Sequence, residues 1–142
     1  MCLKYDFKSP RPPQLCPAIT PMIDPPATPS YPAGHAVQAY LISLLLAYSF
    51  SNAAGQTNLP QHTQRQANST VAEFLGDLPR GPMFRLARRV SQNRVIAGIH
   101  FRTDIRAGRA VAFQTFIDIQ KVNSIWVDLR NQVRGEFPQY AR

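Results

Sequence analysis

The sequence predicts an all-α fold from three observations. Apolar residues recur at helical spacing in several stretches, no stretch alternates apolar with polar residues as a half-exposed strand does, and the prolines fall between the periodic stretches. With 142 residues, 44% of them apolar, the chain has room for a single hydrophobic core and is read as one domain over 1–142.

Nine of the thirteen prolines precede residue 33, so residues 1–35 hold only a short helical turn near Lys4 before an extended, proline-stiffened connector. Ala36–Phe50 is the most apolar stretch, with Leu41, Leu44, Leu45 and Tyr48 at helical spacing. Its 15 residues fall short of the roughly 20 that cross a bilayer, and it is predicted to be a core helix of a soluble protein. Residues 51–69, rich in Gln, Asn, Thr and Ser, read as an exposed loop holding His62. Thr70-Val71-Ala72-Glu73 has capping-box spacing for a short helix ending near Gly76.

From Pro82 a basic amphipathic helix is expected, with Phe84, Leu86, Ala87, Val90 and Val95 apolar and Gly98 as its stop. Thr103 or Asp104 is expected to cap a further helix to about Ile119, so residues 36–119 form the core. Ile125, Val127 and Leu129 mark a tail helix within 120–142, packed by Trp126 and Phe137. The N-terminus lacks the basic-then-apolar order of a secretory leader.

Sixteen basic residues, thirteen of them Arg, oppose eight acidic ones for a net charge of +8, which calls for an anionic partner. Cys2 and Cys16 form no C-x-x-C, so neither a disulfide framework nor a zinc site is encoded.

Three short patterns supply groups that hold a tetrahedral oxyanion. Lys4 and Arg11-Pro12 place two cations within one short span. Pro32-Ala33-Gly34-His35 leads straight into the apolar helix, so N–H groups near Gly34 and His35 lie at a helix N-terminus, where anions bind. Arg94, His100 and Asp104 span the break between two helices. Taken singly, each has an ordinary explanation: a solvated cation pair, a helix start, a capping cluster. Their joint occurrence in order is specific, since the chain has only three histidines and two fall inside the patterns.

Lys-x6-Arg-Pro, then Pro-Ala-Gly-His, then Arg-x5-His-x3-Asp resembles the superfamily that joins type 2 phosphatidic acid phosphatases, bacterial class A acid phosphatases and vanadium-dependent haloperoxidases. Ser30-Tyr31-Pro32 and Ala97-Gly98-Ile99-His100-Phe101 add to the likeness, which covers about residues 3–112. Two positions depart from the family pattern. Its second-motif serine is Ala33 here, removing a hydroxyl donor worth about 1–3 kcal/mol, and the serine before Arg94 is Asn93. The family also builds helices ahead of its first motif, so the resemblance implies a bundle incomplete at the N-terminus, with uncovered apolar faces prone to self-association.

The resemblance implies that His100 is the nucleophile taking the phosphoryl group, with Asp104 fixing its tautomer. It further implies that His35 is the general acid and base, and that Lys4, Arg11, Gly34 and Arg94 cradle the phosphate oxygens. No cofactor is then needed for hydrolysis of a small phosphorylated substrate. The same cradle accepts vanadate on His100 as the prosthetic group of a haloperoxidase, the alternative reading; an inactive remnant is a third. The lack of a Trp beside Arg11 favours the phosphatase. A nucleic-acid module is the rival outside enzymology, since arginines are dense from Arg80 to Arg109, but only Phe84 and Phe101 are aromatic there, so no specific nucleic acid is expected.

Overall fold

A computed structural model describes residues 2–53 and 81–122, with isolated helical positions among 128–136. The expected polar loop beyond residue 53, the short helix near 70–76, and His62, Trp126 and Phe137 lie outside the described residues, as does most of the tail helix. Among the described residues every regular element is helical, as predicted.

The N-terminal segment opens with α1 (Cys2–Phe7), the turn expected near Lys4. Lys8 closes it in a left-handed conformation (φ 45°), its N–H returning to Lys4 O at 3.1 Å. A second short helix, α2 (Pro12–Leu15), interrupts the connector, with Pro12 at its first position where a missing N–H costs nothing. The chain then runs to Pro32 through turns and bends with no further helix, and through a cis Tyr31–Pro32 bond.

Helix α3 (Gly34–Ala53) is longer at both ends than the apolar stretch suggested. Ser51, Asn52 and Ala53 continue it because none breaks a helix. At the other end Ala33 N–H is held by Asp104 O at 3.1 Å, which frees Gly34 and His35 to form the first turn. α3 is central, packing along both α4 (Pro82–Ile96) and α5 (Arg102–Gln120), while α4 and α5 touch only sparingly. Ala33, Ala36, Tyr40 and Leu44 from the start and first half of α3 meet Phe84 and Ala87 of α4 and Ala112, Phe113 and Phe116 of α5 in the core. Of the four apolar residues singled out in α3, Leu44 is fully buried and Leu41, Leu45 and Tyr48 pack partly buried against it. Ser43 joins α3 to α4 by donating to Met83 O at 3.0 Å as well as to Ala39 O.

α4 ends as its sequence forecasts. Gly98 has φ +74°, its N–H bonds Val95 O at 3.0 Å, and Ile99 N–H reaches Arg94 O at 3.3 Å, a Schellman closure that satisfies two end carbonyls. α5 starts differently from expectation: Phe101, not Thr103 or Asp104, is the N-cap. Asp104 sits in the first turn, where its carboxylate reaches back to Phe101 N–H at 2.8 Å, the N3 half of a capping box.

Gly108 lies in the middle of α5, where glycine ordinarily costs a helix about 1 kcal/mol relative to alanine. A Cβ there would stand 2.7 Å from Ala33 O and 2.9 Å from Ala36 Cβ, so the start of α3 is seated on this residue. Gly108→Ala is expected to cost about 1–3 kcal/mol of stability through overpacking, measured by urea unfolding. Gly98→Ala is expected to cost about 1–2 kcal/mol from its left-handed backbone alone, and the new methyl also meets Ile19 at 3.1 Å. Gly135, helical with open space around it, is the control whose substitution by Ala leaves stability unchanged or raises it.

Candidate active site

The Schellman turn delivers Ile99 and His100 inward, and both are buried. His100 Nδ1 lies 3.2 Å from Asp104 Oδ2, one helical turn along α5, and 3.3 Å from Ser30 Oγ. The Ser30 hydroxyl donates to the same carboxylate oxygen at 2.5 Å, and Phe101 N–H donates to it from the helix start. Burial pushes the Asp104 carboxyl up, but the hydrogen bonds from His100, Ser30 and Phe101, helped by the charge of His100, outweigh it and hold it below the usual carboxylate range.

Lys4 and Arg11 converge on the same place from the N-terminal segment and are nearly inaccessible, at 6% and 3% exposure. Lys4 Nζ donates to Pro29 O at 2.7 Å. Arg11 Nε donates to Pro26 O and Thr28 O, and its Nη1 donates to Ile99 O at 2.8 Å. That Nη1 also stands 3.4 Å from His100 Nε2. A guanidinium has no acceptor, so this approach suits a ring whose Nε2 carries a lone pair and whose proton is on Nδ1. Burial lowers the proton affinity of Lys4, and Arg11 repels it further, while Asp104 opposes both.

Gly34 and His35 occupy the first turn of α3. Ala33 O receives Ala36 N–H and Val37 N–H, both at 3.1 Å, which leaves the Gly34 and His35 N–H groups as outward donors of the helix end. The His35 ring is exposed. Partial desolvation, then repulsion from Arg94, His100 and Lys4, pushes its proton affinity below the ordinary imidazole value. Arg94, half-buried near the end of α4, thus lies within electrostatic reach of His35. Of the seven residues singled out from the sequence, Arg11, His100 and Asp104 are joined by direct contacts, Lys4, His35 and Arg94 lie within electrostatic reach of members of the group, and Gly34 adjoins His35.

Sequence reasoning gave Ser30 no role, although it is fully buried and touches both His100 and Asp104. The available signal was a small hydroxyl residue beside Pro29, just ahead of the second pattern. At the motif position proper, Ala33 is wholly buried and supplies its main chain to the helix seat. Among the described residues no three His, Cys, Asp or Glu side chains gather as a metal cage. The cluster offers amides, an ammonium, guanidinium groups and a ring nitrogen, the donor set for an oxyanion. No described helix is long and apolar enough to cross a membrane.

No curated protein matches the chain significantly. A family model does: the one described as the PAP2 superfamily matches residues 1–122, a span that takes in all three patterns. With most of its length matched and its motif residues gathered around one buried histidine, the chain belongs to the PAP2 superfamily, whose members are generally phosphoric ester hydrolases.

Proposed function

We propose that the protein hydrolyses phosphate monoesters through a phosphohistidine formed on His100. The observation that carries this reading is the division of the His100 ring: Nδ1 is engaged by Asp104, and Nε2 faces the donor group of Arg11. An Nε2 lone pair beside a buried guanidinium is a nucleophile next to an oxyanion holder.

In the first step the Nε2 lone pair attacks phosphorus and forms a P–N bond as the P–O bond to the alkoxide breaks. His35 gives its proton to the departing oxygen. In the second step the neutral His35 removes a proton from water. The resulting hydroxide attacks phosphorus, the P–N bond breaks, and its electron pair returns to Nε2. Lys4, Arg11, Arg94 and the Gly34 amide balance charge on the three equatorial oxygens, where it concentrates in transfer. Asp104 stabilises the ring while it bears positive charge.

The test is p-nitrophenyl phosphate hydrolysis with and without vanadate, beside a peroxide-dependent bromination assay on the same preparation. Hydrolysis blocked by vanadate, without bromination, is the expected result; vanadate-dependent bromination without hydrolysis overturns it. His100→Ala is expected to lower kcat by about 10³-fold or more, as loss of a nucleophile does, and acid-labile phosphate trapped from substrate on the wild-type protein should be missing in that variant. His35→Ala is expected to cost about 10²–10⁴-fold, less for substrates with good leaving groups, because these need no proton.

The pH dependence follows from the position of His35. A general acid works while protonated, and this ring loses its proton at lower pH than a free imidazole. kcat/KM is thus expected to fall as pH rises through a value on the acid side of the ordinary histidine range. Arg94→Gln, which removes one repelling charge, is expected to move that limb to higher pH while raising KM.

A further inference from the structure

The contacts of Ser30 set it apart from the other small polar residues of the connector. Its Oγ, the Asp104 Oδ2 and the His100 Nδ1 form a closed triangle with sides of 2.5, 3.2 and 3.3 Å. Protons can be assigned to it in one way. An ionised carboxylate only accepts, so the single Ser30 hydroxyl proton goes to Asp104 at the shortest side. The Ser30 oxygen is then left with lone pairs alone, and its approach to Nδ1 requires the proton to be on that nitrogen. Nδ1–H is shared by Asp104 Oδ2 and Ser30 Oγ, and in a neutral ring Nε2 is then bare, as the Arg11 Nη1 donor 3.4 Å from it requires.

We propose that Ser30 is a positioning residue of the site: its hydroxyl holds Asp104 in place as an anion and, by accepting from Nδ1, commits the His100 ring to the tautomer whose Nε2 is free to attack. The proposal rests on the phosphatase reading for its catalytic meaning. Ser30 touches neither substrate nor Nε2, so it acts wholly through its two partners.

The placement of Ser30 is built in. It is fully buried, its own N–H bonds Ser9 O at 2.9 Å, and Pro29 beside it receives Lys4 Nζ. The hydroxyl thus couples the first pattern to the third, across 74 residues of chain. Other charged groups bear on the pair as well. Lys4 and Arg11 lie within electrostatic reach of Asp104, and His35 on α3 feels His100 and Arg94 of α4. Those cations favour an ionised Asp104 whether or not Ser30 is present, but none of them accepts a proton from Nδ1.

Ser30→Ala in the full chain tests the proposal with two readouts. The first is the pH profile for p-nitrophenyl phosphate. Loss of one donor raises the proton affinity of Asp104, so the acid limb of kcat/KM is expected to move up by about one pH unit, with kcat about ten-fold lower and KM within about two-fold. Ser30→Thr, which restores the hydroxyl, is expected to return the limb toward wild type. The second is the ¹⁵N shifts of the His100 ring near neutral pH, assigned by their loss in His100→Ala. Wild type is expected to give one protonated and one bare nitrogen, and Ser30→Ala two averaged values from mixed tautomers.

An unchanged acid limb together with unchanged ring shifts overturns the proposal. Should Ser30→Ala fail to fold, Ser30→Cys keeps the shape with a weaker donor and is expected to move both readouts the same way by less; no movement there is equally fatal. The ring shifts need no turnover. If wild type hydrolyses nothing yet the shifts respond as stated, the phosphatase reading fails and the hold of Ser30 on the pair stands.

Discussion

Everything in the site depends on how closely the first turn of α3 can approach α5. Gly108 leaves the space into which Ala33 O and Ala36 pack, and Ala33 N–H fastens the contact to the main chain of Asp104. The two small residues and the glycine are chosen by distance, since a methyl on Gly108 already falls inside van der Waals separation. His35 rides on one partner of this contact and Asp104 on the other. A fraction of an ångström added at the seat would be passed directly to the spacing between the two histidines, where the proposed chemistry needs acid and nucleophile on opposite sides of one phosphorus atom.

A second constraint is the burial of Lys4 and Arg11, which carries a desolvation cost of several kcal/mol for each ion. Carboxylates do not offset it one for one, because among the described residues Asp104 is the one acid whose charge reaches them. Main-chain carbonyls do much of the work, from Pro26, Thr28, Pro29 and Ile99. Prolines lack an N–H, so a proline-rich segment carries more acceptors than donors, and its irregular course leaves those acceptors outside any helix or sheet ladder. The connector that looked like inert spacing is thus a solvating wall for two cations. Carbonyl dipoles stabilise the ions without cancelling their charge, and the net positive potential left over is what an oxyanion would meet.

How much of this could be read from the sequence depended on range. The three helical cores and the Gly98 stop were visible because periodicity and left-handed glycine are local facts. The seven site residues were visible because their types and spacings form a pattern even when their contacts are unknown. Ser30 was not, since its meaning lies in a hydroxyl meeting a side chain 74 positions away, and serine between prolines is unremarkable as sequence. Asp104 was misplaced by a step, read as a cap when it reaches back from the first turn to Phe101. The sequence assigned it two tasks, capping and orienting His100, and both are performed by one oxygen, Oδ2. Arg11 was read as a ligand cation alone; its Nε and Nη1 also donate to carbonyls, and Nη1 faces the imidazole.

On the proposed reading, the depressed proton affinity of His35 is part of the mechanism. A general acid with lowered affinity gives up its proton readily, yet it is less often protonated in the free protein. The causes of the depression resolve the conflict. After desolvation, the largest repulsion comes from Arg94 and Lys4 adds to it, and these are cations a phosphate dianion would neutralise. Binding the dianion removes the repulsion and restores the proton affinity of the ring, so by linkage the acid becomes charged as the substrate arrives. Once the phosphoryl group is on His100 and the alkoxide has left with the proton, His35 is neutral again and suited to take a proton from water. One set of cations would then both hold the anion and time the proton.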